Sequence, residues 1–442
     1  MNDRITLVKD QSITYLEYAV VFIIIFFAGS ASVFARSFET WNNLLGLIIP
    51  VAAVAVLGLV KGVHFNHRYF LLIVGYLLYT IASTIKFGEI HPHFFGINVV
   101  KFTIAYVVMS SMRTRFFTVY ENILFYLALI ALFFWILHNT IPGTFVEFLR
   151  NFEFSTQGEG KGSTDFNAIV YTVSNYDIVP DHLANFGGFQ IYRNSGFAWE
   201  PGAFSVFINL AILFNLLRND FRLKNNPHLW VFVIALLTTF STTGYAMLII
   251  MVFFYLYNQP FRKVAWVIPF AVVFTVLVFT LPFMADKISE TTEYNTEELI
   301  YRSIKHGTQY APQRFESLQI DFKDFLNHPV LGYGGQVEAR WTYQLGAQIA
   351  TISGIGKVMG QFGLVGLIFF LFSVYSSSKK LVTVYNLRGA IFPAVLIIMI
   401  SISYTIFTIL YTCIWLFYLT SSYKTAVIQE YLNRRLLNSS NA

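Results

Sequence analysis

Long, uninterrupted apolar runs recur from one end of this 442-residue chain to the other. Many of them approach or reach the roughly 17–25 residues that an α-helix needs to cross the hydrocarbon core of a bilayer. Only helices and closed β-barrels can span a bilayer, because every backbone polar group must find its partner within the protein. The runs are continuously apolar and do not alternate between apolar and polar residues, so they predict helices. The chain is therefore predicted to be an all-α, polytopic integral membrane protein.

The balance of charged and apolar residues agrees with that class. Hydrophobic residues make up 56% of the chain and charged residues 12%, whereas soluble domains carry about 25% charged residues. The formal net charge of +6 does not indicate nucleic-acid binding, because the basic residues are scattered over the ends of the apolar runs. The single cysteine, Cys413, lies within an apolar run and has no partner for an intramolecular disulfide.

The apolar windows predict about twelve transmembrane helices within one membrane domain, residues 1–442. The predicted spans lie near residues 18–35, 43–60, 69–85, 94–112, 117–137, 202–217, 229–240, 245–257, 264–283, 349–375, 390–404 and 407–420. The seventh and eighth are divided only by STTG, and the last two only near SISYT, so either pair could instead be one long kinked helix.

The basic residues predict the orientation of these spans. With the N-terminus inside, most Lys and Arg residues fall in inner loops, and the short outer loops hold only Arg36 and Lys86. Cytoplasmic loops are enriched in Lys and Arg, so both termini are predicted to be cytoplasmic, which also favours splitting both doubtful pairs. Two outer segments, residues 138–201 and 284–348, are far longer than the other loops. Function is therefore predicted on the outer face.

The second large outer segment contains an amphipathic pattern. Large apolar residues recur at helical spacing from Phe315 to Leu326, and Pro329 follows directly after His328. This spacing predicts a helix that ends before the proline. We expect the helix to lie on the outer membrane–water boundary.

Arg193 and Glu200 lie seven residues apart in RNSGFAWEPG, directly before the sixth span. Pro201 suits the first helical turn and Glu200 the helix N-terminus, so a capped helix with a solvated arginine accounts for the pattern. The functional alternative is that Arg193 binds a phosphate at the membrane surface, while Glu200 acts as a base or orients the site. Either way, Arg193 is expected to be an exposed loop residue.

Several other polar residues have both a structural and a functional explanation. Ser241 and Thr243 interrupt an apolar run, either as a structural turn or as the floor of a pocket that hydrogen-bonds a sugar or phosphate. Lys101 lies inside the fourth span at an insertion cost of about 2.5–3.5 kcal/mol, so it faces a cavity or partner, or extends towards the outer surface. The candidates in the second outer segment are Arg302, Lys305, His306, Arg314, His328 and Tyr333. Neither a metal-ligand cluster nor a nucleotide motif is present, so no metal or cofactor is predicted.

Four stretches in series resemble the signatures of O-antigen polymerases and ligases. They are RNSGFAWEPGAFSVFINLAI, LLTTFSTTGYAMLII, RFESLQIDFKDFLNHPVLGYG and GIGKVMGQFGLVGLIFFLF, within residues 192–371. The resemblance implies an inverting, metal-independent glycosyl transfer on the outer leaflet of the bacterial inner membrane, with a glycan on undecaprenyl diphosphate as donor. The physical chemistry agrees, because a diphosphate is already a good leaving group. The protein must then mainly neutralise developing charge and deprotonate a sugar hydroxyl.

The resemblance also implies roles for individual residues. Arg193 and Arg314 would hold the diphosphate, and Glu200 or His328 would be the base. Many relatives have an arginine in the STTG element, where this chain has Thr243, and Lys101 is a candidate to replace that contact. The implied partners are the lipid bilayer, lipid-linked donor and acceptor glycans, a chain-length regulator and a flippase. The active site would face the periplasm.

Polymerase and ligase differ in their acceptor, which is another lipid-linked repeat unit or the lipopolysaccharide core. The Glu-Pro-Gly element and the missing arginine favour the polymerase. The alternative from another class is a lipid-linked oligosaccharide flippase or other secondary transporter. Transporters usually place polar residues at the bilayer midplane on broken helices of two related halves. Here most charge lies in two outer segments and no half-to-half repeat is visible, which disfavours transport.

Overall fold

The structure, a computed structural model, describes the chain from residue 13 to residue 420 with gaps. The described residues are 13–27, 45–63, 65–89, 91–151, 165–168, 170–174, 183–186, 188–259, 296–307, 312 and 314–420. The predicted ninth span, residues 264–283, lies outside them, as does nearly all of the Gly- and Ser-rich stretch that opens the first outer segment.

Helices dominate the described residues, which confirms the all-α class. They are α1 (Tyr15–Phe27), α2 (Leu45–Lys61), α3 (His67–Phe87), α4 (Pro92–Met112), α5 (Arg115–Thr140), α6 (Pro142–Arg150), α7 (Pro201–Arg218), α8 (Pro227–Thr238), α9 (Thr242–Tyr257), α10 (Thr296–His306), α11 (Arg314–Asn327), α12 (Trp341–Gln344), α13 (Gly354–Val384), α14 (Ile391–Ser403) and α15 (Ile409–Trp415). Among the described residues, five helices are long and apolar enough to cross a membrane, namely α3, α4, α5, α7 and α13. Shorter apolar helices accompany them, and α8 and α9 are separate helices, as predicted for the seventh and eighth spans.

The predicted twelfth span, residues 407–420, contains only the seven-residue helix α15 and a 3₁₀ turn, Phe417–Leu419. At 1.5 Å per residue α15 is about 10 Å long, so the expectation of a full transmembrane helix here was wrong. The segment nevertheless crosses to the end of the molecule where α13 ends, because Lys380 Nζ donates to the Thr420 carbonyl at 2.8 Å. Its side chains are buried, and irregular backbone is tolerated at membrane depth where protein surrounds it.

Helix α7 forms the centre of the bundle. Of the α7 residues, 94% are buried. In α3 and in α5, only 28% of the residues in the most apolar 18-residue stretch are buried. A helix that is apolar all round and fully covered belongs to the core. Small and polar residues allow its close contact with α9, since Asn209 Nδ2 donates to the Gly244 carbonyl at 3.1 Å and a Cβ on Gly244 would lie 2.6 Å from Ser205 Cβ.

Two short antiparallel hairpins, which the sequence pattern did not predict, occur in the first outer segment. Strand β1 (Asp165–Ala168) pairs with β2 (Tyr171–Ser174), and β3 (Leu183–Phe186) pairs with β4 (Phe189–Tyr192). Tyr171 and Val173 pack with Phe145 and Leu149 of α6. The second hairpin leads directly into Arg193 and so sets the approach of the chain to α7.

Helix α11 coincides with the helix predicted in the second outer segment, but its polar side is the buried one. Phe315 and Leu326 are 53% and 60% exposed. Asp321 and Asp324 are buried and share Arg340, whose Nη2 lies 3.1 Å from Asp321 Oδ1 and whose Nε lies 2.9 Å from Asp324 Oδ2. Outward apolar side chains suit a helix on a bilayer surface, and that location remains a prediction.

Helix α13 is broken at Gly363, which has φ 62° and ψ −157°. The loop after α11 inserts at this break. Tyr333 N donates to the Gly360 carbonyl at 2.8 Å, Gly334 N to the Gln361 carbonyl at 2.9 Å, and Leu364 N to the Pro329 carbonyl at 2.7 Å. Backbone groups that the break releases are thus paired with the loop, which fixes the loop against the bundle.

Candidate functional site

Three elements meet at the start of α7. Glu200 is the N-cap residue of α7, yet its side chain makes no capping hydrogen bond. Its Oε1 instead accepts from Arg314 Nη2, at the first residue of α11, and from the Tyr404 hydroxyl, directly after α14. Arg314 Nη2 also lies 2.9 Å from the Tyr404 hydroxyl oxygen. The side chains of Arg314 and Glu200 are 31% and 17% exposed, so a ligand can reach this pair.

Arg193 lies against the neighbouring turn between α8 and α9. Its Nε donates to the Thr239 carbonyl at 3.0 Å, and Asn194 donates from N to the Thr238 carbonyl at 2.9 Å and from Nδ2 to Thr238 Oγ1 at 3.0 Å. Arg193 is only 7% exposed. The expectation of an exposed loop residue was therefore wrong, because the stretch before α7 packs onto the end of α8.

Ser241 links this turn to α7. It is the N-cap of α9, and its hydroxyl accepts from Gly244 N at 3.1 Å. Ser205 Oγ contacts Ser241 Oγ at 3.2 Å and donates to the Gly202 carbonyl at 2.7 Å. Thr243 follows in the first turn of α9 and is partly buried. The hydroxyl of Ser241 thus has a structural role, and it holds the N-termini of α7 and α9 side by side.

His328 and Tyr333 lie beyond the far end of α11. His328 Nε2 is 3.2 Å from the Ala339 carbonyl oxygen, and its ring meets the edge of Phe87. Partial burial lowers the pKa of His328, and the nearby positive charge of Lys86 acts in the same direction. Tyr333 is buried, with its ring 5.5 Å from the Arg340 guanidinium carbon.

The structure brings Glu200 and Arg314 together but places His328 elsewhere. Arg314 is the first residue of the fourteen-residue helix α11, and His328 follows its last residue. The two residues therefore lie about 20 Å apart along the helix axis. Arg302 lies on α10, exposed, in an ion pair with Glu298 at 2.5 Å. Lys101 lies midway along α4 and is partly buried.

Sequence reasoning missed Tyr404 as a candidate. It belongs to SISYT, the polar break between the last two predicted spans. From the sequence, that break was interpreted only as the boundary between two spans. A polar interruption at the predicted outer end of a span also indicates a side chain that can contribute to a functional site.

Residues 228–371 match the family model described as O-antigen ligase. This match supports the resemblance of the chain to O-antigen polymerases and ligases. The matched region covers less than half of the chain and contains Arg314 and His328, whereas Arg193 and Glu200 precede it. A comparison with curated proteins finds no match. The matched region and the apolar helices together point to a multi-pass bacterial membrane protein, and the match supports an activity of the ligase or polymerase type.

In the part of the chain that the structure describes, the side chains that could bind a metal ion do not form a cluster. No group of three or more His, Cys, Asp or Glu side chains occurs there. The junction at the start of α7 is instead built from a guanidinium, a carboxylate and a phenol, with the Arg193 guanidinium at the turn between α8 and α9. These groups suit an anionic ligand and a proton transfer.

Proposed function

We propose that the protein is a polysaccharide polymerase that joins oligosaccharide repeat units carried on undecaprenyl diphosphate, at the outer face of the bacterial inner membrane. The observation that carries this proposal is the junction of Glu200, Arg314 and Tyr404, with Arg193 at the adjoining turn. These groups lie at the start of α7 and at the turn before α9, in a chain whose residues 228–371 match the O-antigen ligase family model.

In this proposal Arg193 and Arg314 hold the donor diphosphate. Guanidinium groups bind phosphate oxygens through paired N–H donors without a divalent ion. The N-termini of α7 and α9 add the positive ends of two helix dipoles, which also favour an anion. The lipid fixes the depth of the diphosphate, so its counter-charges must lie close to the ends of membrane helices. Arg193 contacts the Thr239 carbonyl at the end of α8, and Arg314 contacts Glu200 at the start of α7.

The transfer itself needs one base near the diphosphate. The acceptor hydroxyl oxygen attacks the anomeric carbon, the bond from that carbon to the phosphate oxygen breaks, and the diphosphate leaves with the electron pair. The hydroxyl proton passes to the base. The anomeric carbon is bonded directly to the diphosphate, so the base must lie beside it. Glu200 contacts Arg314 and meets this requirement, whereas His328 lies about 20 Å along α11.

His328 and Lys86 then suit the second substrate. Lys86 Nζ donates to the Gly332 carbonyl at 3.0 Å, in the loop that begins at His328. A lipid-linked acceptor carries its own diphosphate, separated from the reacting hydroxyl by the length of the repeat unit. A cation at the far end of α11 is placed for that second diphosphate, which favours the polymerase over the ligase.

The test is transfer by the purified protein in lipid vesicles, with a lipid-linked repeat unit as the sole substrate and EDTA present. We expect a ladder of products that grow by one repeat unit, because arginines replace a divalent ion. A product that forms only after lipid A core is added would identify a ligase. Movement of the lipid-linked unit across the vesicle without chain growth would identify a transporter, and a ladder that requires added Mg²⁺ or Mn²⁺ would disprove metal independence.

A further inference from the structure

Tyr404 occupies the centre of the junction at the start of α7. It lies between α14 and α15 and is 8% exposed. Its ring faces the Arg314 guanidinium, whose central carbon is 5.1 Å from the ring centroid. Its hydroxyl contacts both Glu200 Oε1 and Arg314 Nη2.

The direction of these hydrogen bonds follows from the chemistry of the groups. A guanidinium only donates, so the Tyr404 oxygen accepts from Arg314. The one hydroxyl proton is then directed to Glu200, whose ionised carboxylate only accepts. Tyr404 thus keeps a donor on Glu200 that is independent of the ion pair with Arg314.

Gly202 shows that the junction is closely built. A Cβ at this position would lie 2.6 Å from the Tyr404 hydroxyl oxygen, 3.1 Å from Arg314 Nη2 and 3.2 Å from Glu200 Oε1. The three functional groups therefore meet above the backbone of the first turn of α7, where any larger residue would push at least one of them away.

We propose that Tyr404 is a positioning residue that keeps the Glu200 carboxylate aimed for proton transfer while Arg314 turns to the donor diphosphate. The inference rests on the proposed function. A diphosphate competes with Glu200 for Arg314, because it carries more negative charge than one carboxylate. Two charged or titratable side chains of the described residues hydrogen-bond Glu200, namely Arg314 from α11 and Tyr404 from the segment after α14. When Arg314 moves to the diphosphate, the Tyr404 hydroxyl still holds the carboxylate.

The test is the variant Tyr404→Phe, which keeps the ring against Arg314 and removes the hydroxyl. We expect kcat to fall about ten- to a hundredfold, the range for one hydrogen bond to a charged group, with little change in KM for the donor. Because the hydroxyl is proposed to orient the base and not to bind the donor, the affinity for the donor should stay near the parental value, whereas a general structural defect would weaken it as well. Tyr411→Phe is the matched control, since Tyr411 is buried nearby and its hydroxyl makes no hydrogen bond within the described residues.

A parental kcat in Tyr404→Phe would overturn the inference, as would a parallel loss of affinity for the donor, which indicates a purely structural role. If Tyr404→Phe fails to fold, Gly202→Ala provides the second variant, because its Cβ would displace the Tyr404 hydroxyl and should lower kcat. Glu200→Gln separates the two proposals. An active Glu200→Gln protein would remove Glu200 as the base of the proposed function, whereas an inactive one beside an unchanged Tyr404→Phe would refute only the role of Tyr404.

Discussion

At the scale of single residues, Arg193 and Arg314 bring two guanidinium groups to the N-termini of α7 and α9 in different ways. Arg193 is buried, and its Nε is fixed on the Thr239 carbonyl at 3.0 Å. The Arg314 side chain is 31% exposed and is held by side chains, Glu200 and Tyr404. Arg193 is therefore preorganised by the backbone, whereas Arg314 can exchange its carboxylate partner for a phosphate.

Arg193→Lys is the most direct test of the phosphate contact. Lysine keeps the charge but loses the planar fork that binds two phosphate oxygens, so transfer should fall strongly, by at least about tenfold. The measurement is the rate of ladder formation at matched protein amounts. Arg193→Ala is a weaker test, because removal of the buried partner of Thr239 costs about 1–3 kcal/mol of stability. Arg302→Lys is the control, with a side chain that is 60% exposed. Full-length polymer at the parental rate from Arg193→Lys would refute the phosphate contact.

Charge beside an apolar run was enough to single out Arg193, Glu200 and Arg314 from the sequence. Their arrangement was not predictable, because the partners of Glu200 lie 114 and 204 residues away along the chain. Burial of Arg193 was missed for the same reason. The loop before α7 looks solvated in isolation, and only its hydrogen bonds to the end of α8 remove it from water.

At the scale of elements, α11 shows what periodicity can and cannot predict. The spacing of the apolar residues predicted the helix, and Pro329 predicted that it ends before that residue, as it does at Asn327. In a soluble protein that apolar stripe would face the core, whereas here Phe322 is 46% exposed and Asp321 and Asp324 are buried against Arg340. The four-residue strands of the two hairpins are too short for an alternating pattern to be recognised.

The break in α13 should be sensitive to a single methyl group. Gly363 has a backbone conformation that is essentially restricted to glycine, and a Cβ there would lie 2.4 Å from the Val330 carbonyl oxygen. Gly363→Ala is expected to cost at least about 1–3 kcal/mol of stability and to lower the rate of transfer, because it displaces the loop that carries His328. Thermal unfolding in detergent and the rate of ladder formation are the measurements. Gly75→Ala on α3 is the control, since a Cβ there meets no atom within 4 Å. Equal stability of both variants would contradict this account of the break.

At the scale of the whole molecule, buried carboxylates gather basic residues at the end opposite the proposed site. Glu121 accepts from Arg218 Nη2 at 2.7 Å and contacts His228 Nδ1 at 3.1 Å. Glu17 lies 3.1 Å from Arg115 Nε and 3.6 Å from Lys61 Nζ. Acidic residues contribute little to the orientation of membrane proteins, so the excess of Lys and Arg still predicts that this end is cytoplasmic. The same basic residues also join α1, α2, α5 and α7 through ion pairs.

This orientation predicts which positions react from outside the cell. Gln190 is exposed on β4, next to the proposed site, and Lys224 is exposed in the short loop between α7 and α8 at the opposite end. A membrane-impermeant maleimide should label Gln190→Cys in cells with an opened outer membrane, and should label Lys224→Cys only after the inner membrane is permeabilised. The parental protein provides the background, because its single cysteine, Cys413, is buried and therefore inert. Labelling of Lys224→Cys before permeabilisation, with Gln190→Cys protected, would place Glu200, Arg314 and Tyr404 in the cytoplasm, away from any glycan already carried to the outer leaflet.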